Sequence, residues 1–262
     1  MRLQKIDSSF SSFEPRDYLN EYYSRIGTEN ETLLRFFNSS YKKAEKNGLM
    51  LEFSGGPTIY PLISAAPVMK EIHFADFLDK NLLEVQKWQN RSVEAFDWTI
   101  FFRKALEIEG KINVKKNDIY KRESLLRSKL TKFLHCDAFD QNPLGKNYRQ
   151  IYDLLNVNFV PDSVAKSKEV WKKLIKNICS LIKPRGLLVM SALKDATYWK
   201  AGSKFFPAVH IDEDDLKRLL KSLYFKILTL FTIPAEVVDE KAENFEGYKG
   251  MIFLTAKKEF DF

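Results

Sequence analysis

The sequence predicts an α/β fold in which a mostly parallel β-sheet carries helices on both faces. Short apolar runs of strand length alternate with helical segments along the chain, and this alternation is typical of a parallel sheet. Of the 262 residues, 45% are hydrophobic, which is enough for a sizeable packed core. The last two strand candidates are joined by a long loop, so we expect an antiparallel strand at one edge of the sheet.

The individual elements follow from the period of the apolar residues and from the turn residues that flank them. Seven strands are expected, at residues 49–53, 71–75, 130–136, 152–159, 186–193, 225–233 and 250–258. Helices are expected at 29–46, from near Pro57, from a cap at Asp79 to Gln89, at 163–182, and at 212–222 behind a cap at Asp212. Residues 97–130 form a charged helical excursion, and we expect a single domain over residues 1–262.

Composition excludes several classes of protein. The net charge is +7, but the lysines are scattered, which favours a solvated basic surface over a nucleic-acid interface. Cys136 and Cys179 have no disulfide or metal-ligand spacing, so we interpret them as buried thiols and expect no metal. No apolar run reaches the length of a membrane span, and the N-terminus lacks the apolar centre of a signal peptide. We therefore expect a cytoplasmic monomer without a membrane or nucleic-acid partner.

The stretch LEFSGGPTIYPLISAA, residues 51–66, has the form of a strand, a glycine turn and a helix. It contains no lysine and is not a P-loop, and it lacks the Gly-x-Gly-x-x-Gly spacing of dinucleotide sites. A helix N-terminus attracts anions, yet Glu52 beside the turn disfavours a pyrophosphate. A nucleoside with a positive centre, such as S-adenosylmethionine, fits better. The turn alone is equally consistent with a tight connection of no function.

Acidic residues follow two further strands. Asp76 comes after the second strand, where a carboxylate accepts hydrogen bonds from both ribose hydroxyls of a nucleotide. Asp137 follows the third strand, where it can meet the amino group of adenine. Because the carboxyl ends of parallel strands meet at one edge of a sheet, we expect these acids and the glycine turn to form one site.

The chain also contains an ordered set of longer motifs, FEPRDYLNEYY, SGGPTIY, ADFLDKN, EAFDW, LEIEG, KFLHCD, NPLG and LIKPRGLLV. Together these motifs closely resemble the nicotinamide/phenylethanolamine/indolethylamine N-methyltransferase family, and the resemblance extends from Phe13 to Lys257. It implies a small-molecule methyltransferase that uses S-adenosylmethionine and releases S-adenosylhomocysteine. It also implies a seven-stranded Rossmann-like core and an N-terminal helical lid over residues 1–28.

By position, the resemblance implies cofactor contacts at Tyr18, Tyr23, Ser54, Gly55, Thr58, Tyr60, Asp76, Asn81, Asp137, Ala138 and Asn158. Aromatic rings near a sulfonium agree with this, because aromatic faces attract cations. Three positions depart from the family pattern, and one of them, Arg185 in place of a glycine, lies far from the expected site. Ser54 stands where the family usually has glycine, and Asn158 stands where a threonine is common.

For the acceptor, the resemblance implies an acidic pocket. Asp162, Asp195 and Glu246 fall where the phenylethanolamine branch holds its substrate amine, and carboxylates there can bind an ammonium and relay its proton. We take these three as candidate catalytic residues. The further residues expected around the acceptor are Tyr22, Phe159 and Tyr198 as contacts, Trp199 and Phe206 as pocket walls, and His210 as a weaker contact, whereas His73 and His135 are interpreted as structural.

Several alternatives remain open at this point. The acceptor could be a pyridine such as nicotinamide, or another nucleophile that attacks through sulfur or oxygen. A nucleic-acid methyltransferase is disfavoured, because NVNFVPD replaces the Pro-Pro-aromatic run and neither cysteine follows a proline. The chain could also be a cofactor-binding homologue without turnover, as the departures at Ser54 and Asn158 suggest.

Overall fold

The computed structural model of the chain describes residues 10–242 and 244–260. Its strands are β1 (Leu49–Phe53), β2 (Glu71–Asp76), β3 (Leu130–His135), β4 (Tyr152–Asn158), β5 (Ile182–Lys194), β6 (Tyr198–Ala201), β7 (Lys204–Pro207), β8 (Phe225–Pro234) and β9 (Gly250–Lys258). Its α-helices are α1 (Pro15–Tyr23), α2 (Thr28–Tyr41), α3 (Asp79–Gln89), α4 (Thr99–Ile108), α5 (Lys116–Lys129), α6 (Val160–Val164), α7 (Lys168–Cys179) and α8 (Glu213–Ser222).

The predicted sheet is confirmed. Seven strands pair in the order β3-β2-β1-β4-β5-β9-β8. The five strands β1 to β5 run parallel, and β9 runs antiparallel to both β5 and the edge strand β8. The carboxyl ends of β1 to β5 therefore meet at one edge of the sheet, where ligands of such folds bind.

Two hydrophobic cores lie on opposite faces of the sheet, because successive strand residues point to opposite sides. Met50 packs into one core with side chains from α1 to α5. The next residue, Leu51, packs into the other core with side chains from α7 and α8. The expectation of helices on both faces is thus confirmed, and the buried thiols Cys136 and Cys179 both belong to the second core.

The predicted helix near Pro57 is wrong. The segment between β1 and β2 consists of turns and one short 3₁₀ helix, Tyr60–Leu62. Prolines at 57, 61 and 67 explain the difference, since each lacks the N–H that an α-helix interior requires. Strand β1 and the glycine turn that follows it lie where the sequence predicts them.

Of the two predicted helix caps, the one at Asp79 is wrong and the one at Asp212 is confirmed. Asp79 does not cap α3, whose N-cap is Leu78 and has no side-chain cap bond. Asp212 caps α8 as predicted, because its carboxylate accepts the backbone N–H of Asp215 at 2.8 Å. The expected helix at 163–182 is shorter, with α7 covering Lys168–Cys179.

The structure adds a hairpin that the sequence analysis missed. Strands β6 and β7 pair antiparallel between β5 and α8. The segment 97–130 contains α4 and α5, in agreement with its helical character. The described part of the expected lid contains α1, while residues 1–9 lie outside the described residues. Among the described residues, none of the helices has the length and apolar character needed to cross a bilayer.

Candidate active site

A cavity of about 660 Å³ lies at the carboxyl ends of the parallel strands and is walled on one side by α1. The edge of the sheet contributes residues at or just after β1 to β5, as expected for this fold. All eleven residues that the sequence analysis assigned to the cofactor line this cavity, namely Tyr18, Tyr23, Ser54, Gly55, Thr58, Tyr60, Asp76, Asn81, Asp137, Ala138 and Asn158. The structure therefore brings this set together.

The glycine turn forms the floor next to β1. Ser54 has a φ of 52° and Gly56 a φ of 61°, so both occupy the left-handed region. A side chain there costs Ser54 roughly 1 kcal/mol, which gives a physical reason for glycine at this position in related chains. Gly55 is held by close packing, because a Cβ atom would lie 2.5 Å from the Phe74 ring and 2.8 Å from Cγ of Glu52.

Asp76 is buried at the end of β2 and anchors the turn to α3. Its Oδ2 accepts the backbone N–H of Gly56 at 2.8 Å, and its Oδ1 accepts Leu78 N–H at 2.8 Å and Asn81 Nδ2 at 2.9 Å. Burial raises the pKa of the Asp76 carboxyl, and these hydrogen bonds oppose the rise. The Oδ1 atom of Asn81 is buried and has no hydrogen-bond partner among the described residues.

A second cluster of polar side chains lies on the neighbouring strands β1, β4 and β5. Glu52 is 1% exposed and accepts Asn156 Nδ2 at 2.7 Å, and burial raises the pKa of its carboxyl to about 8. Asn158 accepts the hydroxyl of Ser191 at 2.6 Å, and its side chain also faces the Glu52 carboxylate, where it opposes the rise in pKa. The cavity therefore presents an unused acceptor on Asn81.

Tyrosines from α1 and the 3₁₀ turn form an aromatic wall. The ring of Tyr18 lies 5.1 Å from that of Tyr22 and 5.6 Å from that of Tyr23. The ring of Tyr23 in turn lies 5.0 Å from that of Tyr60. Such a cluster favours a cation at its faces.

Helix α1 is docked by contacts with the hairpin. The Tyr22 hydroxyl donates to the Lys200 carbonyl at 2.9 Å, and Glu21 pairs with the Lys200 ammonium at 3.1 Å. The N–H of Gly202 donates to the Glu21 carboxylate at 2.6 Å. These contacts place Tyr22 and Tyr18 over the cavity.

Of the residues that the sequence analysis expected around the acceptor, some line the cavity and others do not. Tyr22, Phe159 and Trp199 line the cavity, as the sequence analysis expected. Tyr198 does not, because β6 directs successive side chains to opposite sides, and its hydroxyl donates to the Phe245 carbonyl at 3.2 Å. Phe206 stacks behind Trp199 at 4.5 Å and is fully buried, so it supports the wall without forming it.

Asp162 and Asp195 do not reach the cavity, which corrects the expectation that they contact the acceptor. Asp162 is fully buried, and its Oδ2 accepts the Leu193 N–H at 2.8 Å. Asp195 has a φ of 50° directly after β5 and pairs with His210 at 3.0 Å. That left-handed turn carries Asp195 into a second surface depression beside α8, and His210 contacts Asp195 without lining either cavity.

Of the other two histidines, His73 has the structural role that was expected, whereas His135 lies outside the core. His73 is buried, with Nδ1 at 2.9 Å from the Tyr152 hydroxyl and Nε2 at 3.0 Å from Glu71, which is a structural arrangement. His135 is 60% exposed at the end of β3, so it is not a core residue.

Two residues that the sequence analysis missed, Tyr248 and Glu29, also line the cavity. The Tyr248 hydroxyl lies 3.1 Å from Oε2 of Glu29 and 3.1 Å from Oε2 of Glu246. Tyr248 and Glu29 line the cavity, whereas Glu246 stands behind Tyr248. Burial, with the nearby carboxylate of Glu246, raises the pKa of Glu29 to about 7.

Comparisons with known proteins find relatives that cover nearly the whole chain. The family model described as the NNMT/PNMT/TEMT family matches residues 2–259. Human nicotinamide N-methyltransferase is 30% identical over 96% of this chain and 95% of that protein. Rabbit indolethylamine N-methyltransferase is 29% identical over 94% and 93% of the two chains. An S-adenosylmethionine-dependent methyltransferase from Clostridium acetobutylicum shares the fold, with a TM-score of 0.55, 11% identity, and coverage of 94% of this chain and 97% of that one.

Proposed function

Because the chain belongs to the NNMT/PNMT/TEMT family and is an S-adenosylmethionine-dependent N-methyltransferase, we propose that it methylates the nitrogen of a small aliphatic amine. The cavity at the edge of the sheet is the proposed site of both ligands. The observation that carries the proposal is the pairing, in one cavity, of a nucleoside-type end around Asp76 with an acidic end around Glu29.

The residues at the first end fit S-adenosylmethionine. Asp76 would hold the ribose hydroxyls and Asp137 the adenine amino group, while the Ser54–Gly56 turn lets the backbone come close. The unpaired Oδ1 of Asn81 offers an acceptor to a ligand that carries a hydrogen-bond donor. S-adenosylmethionine, when bound, supplies the methyl group from a sulfonium.

The tyrosine wall supports the placement of a positive centre. Tyr18, Tyr22 and Tyr23 line the cavity, and the ring of Tyr18 lies 5.1 Å from that of Tyr22 and 5.6 Å from that of Tyr23. Aromatic faces stabilise a cation by about 0.5–2 kcal/mol each, more where water is excluded. The role of this chain is then mainly positioning and removal of water, which is sufficient when the leaving group is already good.

A pyridine acceptor is the second candidate. It is favoured by the 30% identity to human nicotinamide N-methyltransferase. A neutral pyridine needs no carboxylate partner, so the acidic residues Glu29 and Glu246 are the feature that separates the two candidates.

The test is a screen with methyl-labelled S-adenosylmethionine. The panel contains phenethylamine, tryptamine, nicotinamide, a thiol, a phenol and a short RNA, with products identified by mass. We expect N-methylated product from the aliphatic amines. Transfer to RNA alone, or to none of the amines, would overturn the proposal.

We further propose that the protein acts as a monomer in the cytoplasm. The two buried, unpaired thiols Cys136 and Cys179 support a reducing compartment. Light scattering on the purified protein tests the monomer, and a mass equal to two or more chains would contradict it.

A further inference from the structure

At the acidic end of the cavity, the carboxylates of Glu29 and Glu246 share the hydroxyl group of one tyrosine, Tyr248. Tyr248 is 3% exposed, and its hydroxyl lies 3.1 Å from both Glu29 and Glu246. A hydroxyl donates one hydrogen, so it satisfies one of these carboxylates and leaves the other facing a lone pair. Glu29 is half-buried and lines the cavity, and a half-buried carboxylate in that situation is stabilised by a proton or by a nearby cation.

The groups around Glu29 add negative charge. From the loop after β8, Glu236 brings a carboxylate near Glu29 and also donates its backbone N–H to it, and from the loop before β9 come Glu246 and Tyr248. From α1, the Tyr22 hydroxyl faces the same carboxylates. Two nearby lysines are paired with other acids, Lys200 with Glu21 at 3.1 Å and Lys249 with Glu240 at 2.8 Å.

The position of the cluster relates it to the acceptor. Tyr22 stands between the two ends of the cavity, with its ring 5.1 Å from Tyr18 and its hydroxyl under the influence of Glu29 and Glu246. Tyr18 lies on the other side. Burial raises the pKa of its hydroxyl, and the nearby charge of Asp76 adds to the rise. The Glu29 carboxylate therefore faces the part of the cavity beyond the tyrosines, away from Asp76.

We propose, on the basis of the proposed function, that Glu29 with Tyr248 and Glu246 selects an acceptor whose nitrogen arrives as an ammonium ion, and that Glu29 receives its proton. The N–H bond of the ammonium breaks and an O–H bond forms on Glu29, leaving the neutral amine with its lone pair. Methylation of an amine that enters as an ammonium releases one proton overall, and Glu29 passes that proton to solvent. The substrate class is a basic aliphatic amine, and a neutral pyridine gains nothing from these carboxylates.

The test compares Glu29→Gln with Glu31→Gln as a matched control. Both residues lie in the first turn of α2, but Glu31 is paired with Arg35 at 2.6 Å and Lys104 at 3.3 Å. Each variant is assayed with phenethylamine and with nicotinamide at saturating S-adenosylmethionine. In Glu29→Gln we expect KM for phenethylamine to rise by about 10- to 100-fold, from loss of a charged hydrogen bond. KM for any nicotinamide turnover and the Kd for S-adenosylhomocysteine are expected to stay at the wild-type values.

The pH profile separates this role from a merely structural one. In the wild type, kcat/KM for the amine should rise with pH through about 7, as Glu29 becomes ionised. Glu29→Gln should lose that step, and Glu31→Gln should keep it. If Glu29→Gln does not fold, Tyr248→Phe serves instead, because it removes the hydroxyl between the carboxylates and should also raise the amine KM.

The outcomes distinguish this inference from the proposed function. Amine turnover with an unchanged KM and an unchanged pH step in Glu29→Gln would overturn this inference alone. Equal losses with phenethylamine and nicotinamide would also overturn it, since they would indicate a structural defect. Wild-type protein that methylates no amine would overturn the proposed function as well.

Discussion

Replacement of Asp162 by asparagine should change how the stability of the protein depends on pH. The Asp162 carboxyl is fully buried, and burial raises its pKa from 3.8 to about 7. One oxygen accepts the Leu193 N–H, and the other has no hydrogen-bond partner among the described residues. Asparagine keeps an oxygen for Leu193 and cannot ionise, so the variant isolates the effect of the charge.

The size of the effect follows from linkage between protonation and folding. Because the folded-state pKa is raised, the stabilising contribution is complete below about pH 4 and is lost as the pH rises through about 7. The whole rise in pKa corresponds to about 4 kcal/mol at high pH. Between about pH 5 and about pH 8, the wild type should lose about 2–3 kcal/mol relative to the Asn variant.

The measurement is the free energy of unfolding by urea at the two pH values, for wild type and Asp162→Asn. Glu29 and Glu52 titrate in both proteins, so their contributions cancel in the comparison. Asp79→Asn is the control, since Asp79 is 86% exposed and its replacement should leave the pH dependence unchanged. Parallel curves for wild type and Asp162→Asn would show that the buried carboxyl does not ionise against its environment, and would refute the reasoning.

Other variants test the remaining parts of the site. Asp76→Asn should raise the Kd for S-adenosylhomocysteine about tenfold or more, because it removes a charged acceptor, and calorimetry that gives an unchanged Kd would contradict this role. Gly55→Ala should destabilise the protein by about 1–3 kcal/mol in thermal unfolding, because its Cβ atom would overlap the Phe74 ring; an unchanged melting temperature would show that the turn relaxes freely. Asp195→Asn should leave the amine KM unchanged, because Asp195 pairs with His210 outside the cavity, and a raised KM would return Asp195 to the acceptor site.

The inner strands were predictable because β1, β2, β4 and β9 are short apolar runs that are mostly buried on both faces of the sheet. The range 250–258 is β9 in both the sequence and the structure. The helix near Pro57 was not predictable by the same means, since an apolar segment does not reveal which backbone hydrogen bonds its prolines prevent. The strand predicted at 186–193 shows a similar limit, because β5 begins at Ile182 and includes Arg185, whose φ of 63° lies in the left-handed region.

The meeting of the glycine turn, Asp76 and Asp137 at one cavity was predictable because residues that directly follow parallel strands lie at one edge of the sheet, whereas the tyrosines of α1 were expected there only from the family resemblance. The acceptor end was harder. Each strand of the hairpin is four residues long, so the chain around Tyr198 and Trp199 resembled a loop and its alternation was not visible. Glu29 resembled an ordinary acid in the first turn of a helix, and its partner Tyr248 lies 219 residues away.

Helix α1 contributes aromatic rings to the cavity wall but no strand to the sheet. Substitution of Tyr22, the residue of this helix expected at the acceptor, can thus reshape the space offered to a new molecule while every strand keeps its register. Leu19 and Tyr23 on the same helix are buried, so they hold the helix in place while its neighbours vary. Preference among acceptors can therefore diverge between related chains through this one segment, at little risk to folding.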